Sequence, residues 1–119
     1  MERMVVSTDK APGAVGPYSQ AVIAGDLVFT AGTLPLDPKT GEVVGDEIGA
    51  QVRQALSNVQ QVLEAAGSSL DRVVKTTVFL TDIGNFAQMN SVYAEFFTSA
   101  PPARSTWRLA LCPKGCWYR

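Results

Sequence analysis

The sequence predicts an α+β subunit, a mixed sheet with two helices on one face, and three observations carry that reading. Residues 46–66 and 86–97 place apolar side chains at three- and four-residue spacing, as one face of a helix requires. Short β-branched runs bounded by Gly, Pro and Asp precede, separate and follow those two stretches. The chain has 119 residues, which suits one domain spanning 1–119 with a single core.

Met4-Val5-Val6 is a short apolar run, ended by the breakers at Ala11-Pro12-Gly13. Residues 19–23 and 27–31 are strand-like runs separated by Ala24-Gly25-Asp26, which predicts a hairpin. Pro35, Asp37-Pro38 and Gly41 mark a turn-rich loop. Ile48, Val52, Leu56, Val59, Val62, Leu63 and Ala66 then form the first helical stripe, with Gly67 as its stop. Residues 73–80 read as a central strand, and Asn85 as the cap of a second helix carrying Phe86, Met89, Tyr93, Phe96 and Phe97. Pro101 ends that helix, and residues 103–111 return as a strand, giving the order β-ββ-α-β-α-β. Two helices on one face leave the other sheet face apolar, so subunit association is expected.

Apolar residues make up 46% and charged residues 18%, with a formal net charge of -1 and no basic cluster. That balance argues against a nucleic-acid partner. No apolar run approaches the roughly 18 residues of a membrane span, and Met1-Glu2-Arg3 opens no apolar leader, so a cytoplasmic protein without a membrane partner is expected. Histidine is absent, and Cys112 and Cys116 form one pair without a second, so no metal is expected. The plain reading of both thiols is incidental residues near a chain end.

Arg104 follows Pro101-Pro102-Ala103 at the start of a strand, where a stiffened chain can aim a guanidinium at a planar anion. Two parallel charge-assisted hydrogen bonds to a carboxylate are what that geometry offers. From position alone, the plainer reading is an ordinary solvated arginine.

Five blocks follow one another along the chain: Ala11-Pro12-Gly13-Ala14-Val15-Gly16-Pro17-Tyr18-Ser19-Gln20-Ala21, Phe29-Thr30-Ala31-Gly32, Val74-Lys75-Thr76-Thr77-Val78-Phe79-Leu80, Phe86-Ala87-Gln88-Met89-Asn90 and Pro102-Ala103-Arg104-Ser105-Thr106. On these blocks the chain, from Ser7 to Thr106, resembles the RidA/YjgF family of reactive-intermediate deaminases. The resemblance implies a chorismate-mutase-like subunit assembled as a homotrimer with clefts between neighbours. It also implies hydrolysis of enamines and imines such as 2-aminoacrylate and 2-iminopropanoate to 2-keto acids and ammonia, with no cofactor. In that reading Arg104 and Tyr18 are catalytic. Arg104 grips the substrate carboxylate, the backbone at Thr106 helps, and Gly32 and Asn90 line the cleft with Tyr18. Each also has a plain reading: Tyr18 as a packed, hydrogen-bonded ring, Gly32 as a turn or bulge, and Asn90 as a structural amide rather than a ligand contact.

The sequence departs from the family at its end. The resemblance implies a glutamate on the last strand that holds the attacking water, whereas no acidic residue follows Glu95. From Trp107 onward the chain keeps Pro113-Lys114-Gly115 but loses alternating valines, a pattern that a reading-frame change would produce. The last strand is therefore expected to be altered or cut short after Thr106, with turnover weakened. Two further functions stand beside deamination: a noncatalytic trimer that binds small carboxylates through Arg104, and an endoribonuclease or translation inhibitor. Missing histidine and the acidic balance weigh against the last.

Overall fold

The N-terminal half is organised by a hairpin, seen in a computed structural model that describes residues 2–110. Strands β1 (Arg3–Val6), β2 (Ala21–Ala24) and β3 (Leu27–Thr30) form an antiparallel sheet in the order β1-β2-β3. Gly25 adopts φ 59° in the β2–β3 turn, the left-handed region that a tight hairpin connection demands and that glycine enters at little cost.

Helix α1 (Ile48–Ala65) starts where the Glu47 carboxylate accepts hydrogen bonds from the Gly49 and Ala50 N–H groups, at 3.0 and 3.2 Å. Gly67, at φ 83°, closes it as the sequence predicts. Strand β4 (Lys75–Leu80) follows a single 3₁₀ turn, and helix α2 (Phe86–Phe96) leads to β5 (Ala103–Arg108), parallel to β4. Asn85 precedes α2, but its side chain makes no capping bond. The reason lies one turn earlier, where the Asp82 carboxylate accepts from Gly84 N–H at 2.8 Å and organises a short 3₁₀ segment that feeds directly into the helix.

Antiparallel and parallel pairing are both present, divided between two ladders among the described residues: β1-β2-β3 and β4-β5. Between β3 and β4 runs a groove of about 930 Å³ whose floor includes Ala55, Leu56, Val59 and Leu63 of α1. The final strand ends at Arg108 rather than at residue 111. Cys112, Cys116 and, of the change expected after Thr106, the part from residue 111 onward lie outside the described residues.

Both helical stripes face inward except at Phe86, which opens α2 and is 38% exposed. Val52, Leu56, Met89 and Tyr93 are buried in one cluster with Val78 and Leu80 of β4. Val59 is only half-buried, because it faces the groove. The sheet surfaces opposite the helices remain open: Val5, Leu27, Phe29 and Trp107 are 60, 56, 59 and 60% exposed. No helix among the described residues is long and apolar enough to cross a membrane.

One buried amide joins the turn-rich loop to α1. Asn58, 1% exposed, donates from Nδ2 to the Leu34 and Leu36 carbonyls at 3.1 and 2.9 Å, and its Oδ1 accepts from Gln54 at 2.9 Å. Asn58→Ala strands two carbonyls and is expected to cost about 2 kcal/mol. A lower urea midpoint with an unchanged slope would register that loss.

Candidate functional site

The predicted site residues fall into two groups. The first is built on the loop before β2. Gln20 pins that loop: its Oε1 accepts from Thr8 N–H at 2.7 Å, and its Nε2 donates to the Thr8 and Pro12 carbonyls at 3.1 and 2.8 Å. Tyr18 is thereby held at the rim of a cavity of about 340 Å³, with Pro12, Gly32, Thr33 and Val62 among its lining. The ring is half exposed, and its hydroxyl accepts from Val15 N–H at 3.2 Å. Gly32 follows β3, directly after Ala31 donates to the Gln20 carbonyl at 2.9 Å. Its φ is not left-handed, so the turn does not demand glycine; a smooth wall beside Tyr18 is what it provides.

The second group lies where β5 meets α2. The parallel register pairs Arg104 with Thr76 and Thr106 with Val78, so both Arg104 and Thr106 point to the helix side of the sheet. The Arg104 guanidinium carbon sits 4.8 Å from the Tyr93 ring centroid and 5.5 Å from that of Phe86. A distant contact of Nη1 with the Met89 sulfur, at 4.0 Å, completes its surroundings. Among the described residues no carboxylate reaches it; the one ion pair there joins Arg53 to Glu95 on the surface. Tyr93 is held in turn by a 2.7 Å hydrogen bond between its hydroxyl and that of Thr76, and by Phe97, 4.6 Å away ring to ring.

Asn90 lies on the same helix, adjacent to Met89, and its Oδ1 is buried with no hydrogen-bond partner among the described residues. An unsatisfied buried acceptor costs stability and is most often retained for a ligand or a water. Neither Arg104 nor Asn90 lines the cavity that Tyr18 and Gly32 share, and among the described residues no hydrogen bond or ring contact joins the two groups. Nor do the described residues hold a cluster of three or more His, Cys, Asp or Glu side chains able to bind a metal.

Chemically, the Arg104 side offers a guanidinium that meets no carboxylate among the described residues, steered by two rings of the helix that also carries the Asn90 amide. That combination accepts a planar carboxylate and a neighbouring N–H. Sequence reasoning missed Phe86, Tyr93 and Thr76 as its supports. A signal was present, since Phe86, Asn90 and Tyr93 recur at four- and three-residue spacing and share a helix face.

Comparison with known proteins bears on this arrangement. The endoribonuclease L-PSP family profile matches residues 8–117. A RutC family protein of Pyrococcus horikoshii is 51% identical over 110 residues, covering 92% of this chain and 87% of the relative. Human 2-iminobutanoate/2-iminopropanoate deaminase is 44% identical over 113 residues, covering 95% and 82%. The crystal structure of E. coli TdcF with bound serine superposes with a TM-score of 0.93 at 41% identity, covering 97% of this chain and 92% of that one. With a profile running along nearly its whole length and relatives this similar, the chain belongs to the endoribonuclease L-PSP family, the RidA/YjgF group that includes named imine deaminases.

Proposed function

We propose that this chain hydrolyses small 2-imino and 2-enamino acids, of the 2-iminopropanoate/2-aminoacrylate type, to 2-keto acids and ammonia without a cofactor, acting as a cytoplasmic homotrimer. The observation that carries this reading is Arg104, whose guanidinium meets rings rather than carboxylates among the described residues. In this reading the guanidinium binds the substrate carboxylate through two N–H groups, the Thr106 backbone adds a third contact, and Asn90 Oδ1 accepts the imine N–H. Water adds across the C2=N bond, its oxygen to C2 and one proton to nitrogen, giving a carbinolamine; the hydroxyl proton then passes to nitrogen, the C–N bond breaks, and the 2-keto acid and ammonia leave. Orientation of the electrophile and exclusion of bulk water supply the rate gain.

Assembly is part of the proposal. Clefts between copies would bring the Tyr18–Gly32 wall of one chain to the Arg104–Asn90 wall of the next, and the open apolar faces at Val5, Leu27, Phe29 and Trp107 support such association. Phe29→Asp is expected to shift the sedimentation mass from trimer toward monomer, and to remove activity with it. A monomer in the unaltered chain, still active, would sink the shared-cleft arrangement.

A second reading, a trimer that binds small carboxylates without turning them over, is favoured by one feature: residues 96–119 hold no acidic side chain, and Glu95 itself is engaged with Arg53. The two separate on turnover. Freshly generated 2-iminopropanoate is expected to release ammonia and pyruvate faster with the folded protein than without it. No acceleration, alongside measurable carboxylate binding, would leave the binding reading in its place. RNA cleavage ranks below both, because the chain has no histidine and carries a net charge of -1.

A further inference from the structure

Three elements meet on the ring of Tyr93. The parallel register sets Thr76 of β4 opposite Arg104 of β5, so a hydroxyl and a guanidinium leave neighbouring strands side by side on the face that α2 covers. Tyr93 of α2 touches both: its hydroxyl and the Thr76 hydroxyl share a 2.7 Å hydrogen bond, and the Arg104 guanidinium carbon lies over its ring, 4.8 Å from the centroid. Phe97, four residues further on, packs against the same ring at 4.6 Å between centroids and 33° between planes. A tyrosine side chain has two torsions, and these contacts hold both. The backbone and the hydroxyl bond fix the two ends of the ring's long axis, and Phe97 opposes rotation about that axis. With 6% of the residue exposed, the ring is a fixed surface for the guanidinium.

Phe86 makes the contrast. It opens α2, is 38% exposed, and stands 5.5 Å from the guanidinium carbon, with no polar side-chain atom that could tie it to β4. At Tyr93 a phenylalanine would fill the same core space without a buried hydroxyl to satisfy, so packing alone does not call for the hydroxyl; what the hydroxyl adds is direction. Arginine is long and flexible, and a ring attracts a guanidinium only over its face. Where the ring is held, the fork is held with it, and a carboxylate accepts two parallel N–H bonds only in the plane of that fork. We propose that the Thr76–Tyr93 hydroxyl pair is a positioning device for Arg104: it fixes the ring on which the guanidinium lies and so sets the plane in which a carboxylate is gripped. The consequence for turnover rests on the deaminase reading above; the orientation of Arg104 does not.

Two measurements on the full chain test the device. The first needs no substrate: nuclear magnetic resonance of arginine-labelled protein, with the Arg104 signals assigned by their loss in Arg104→Ala. The Arg104 side-chain protons are expected upfield of ordinary arginine positions, because they lie over a ring. Tyr93→Phe and Thr76→Val each remove one hydroxyl of the pair, and both are expected to move those protons back toward ordinary positions. Thr76→Ser keeps the hydroxyl and is expected to leave them shifted. The second is steady-state kinetics with 2-iminopropanoate, where Tyr93→Phe and Thr76→Val are each expected to raise KM about threefold to tenfold, with a smaller change in kcat, and the double variant to lose no more than either alone. Should Thr76→Val fail to fold, Tyr93→Phe carries the test, since it keeps the ring. Arg104 protons unmoved in folded Tyr93→Phe would overturn the proposal and leave the hydroxyl a purely structural role, and so would a Tyr93→Phe KM equal to that of the unaltered chain. A chain without turnover removes the deaminase reading instead, and the Arg104 signals then decide the positioning role by themselves.

Discussion

Arg104→Ala is expected to lower kcat/KM for 2-iminopropanoate by about a hundredfold or more while leaving the melting temperature nearly unchanged. The magnitude follows from two charge-assisted hydrogen bonds to a carboxylate, each worth roughly 1.5–3 kcal/mol, with about 1.4 kcal/mol per tenfold in rate. The small effect on stability follows from its surroundings: among the described residues the guanidinium rests on Tyr93 and Phe86 and makes no ion pair. Arg104→Lys keeps the charge but loses the planar fork, so it is expected to recover only part of the loss. Initial-rate kinetics on both variants, with thermal melts beside them, measure the two effects separately. An Arg104→Ala variant that retains full activity would remove Arg104 from the mechanism.

Leu80→Ala is the substitution expected to cost most in stability, about 3–4 kcal/mol. Leu80 is fully buried at the end of β4, within the cluster formed by Val52, Met89 and Tyr93. Truncation there loses the transfer free energy of the side chain and leaves a void that the paired strands and helices cannot close. Against the roughly 5–15 kcal/mol that separates folded from unfolded states in a domain, that is a large fraction. Urea unfolding monitored by circular dichroism would show the midpoint fall. Leu27→Ala, at a residue 56% exposed in the single chain, is the contrast and should leave the monomer's unfolding almost unmoved.

How much of this was legible beforehand depends on the range over which each feature is encoded. The stripes of α1 and α2 are local, so Val52, Leu56, Met89 and Tyr93 could be assigned to the core from spacing alone. The hairpin at Gly25 was equally local. Asn58 could not be read, because its partners are the Leu34 and Leu36 carbonyls, more than twenty residues away in sequence, and backbone atoms leave no mark in residue type. Asn85 suggested a cap by its chemistry, but the carboxylate of Asp82 had already shaped that turn. Alternation along β3 and β4 says which side chains face the helices, not which strands are neighbours, and so the division into two ladders became visible only in three dimensions. Arg104 stands between these cases: family blocks marked it, while the absence of a competing carboxylate among the described residues is a fact of packing.

That last fact reaches the choice of buffer. An arginine already committed to an acidic side chain must surrender a partner before it can take another, which filters out weak anions. Among the described residues Arg104 is flanked by rings and meets no carboxylate, so on the proposed reading any small anion that fits beside Tyr93 and Phe86 competes with a substrate carboxylate. On the proposed reading, phosphate, sulfate and acetate are therefore expected to compete with substrate, raising the apparent KM for 2-iminopropanoate as their concentration rises.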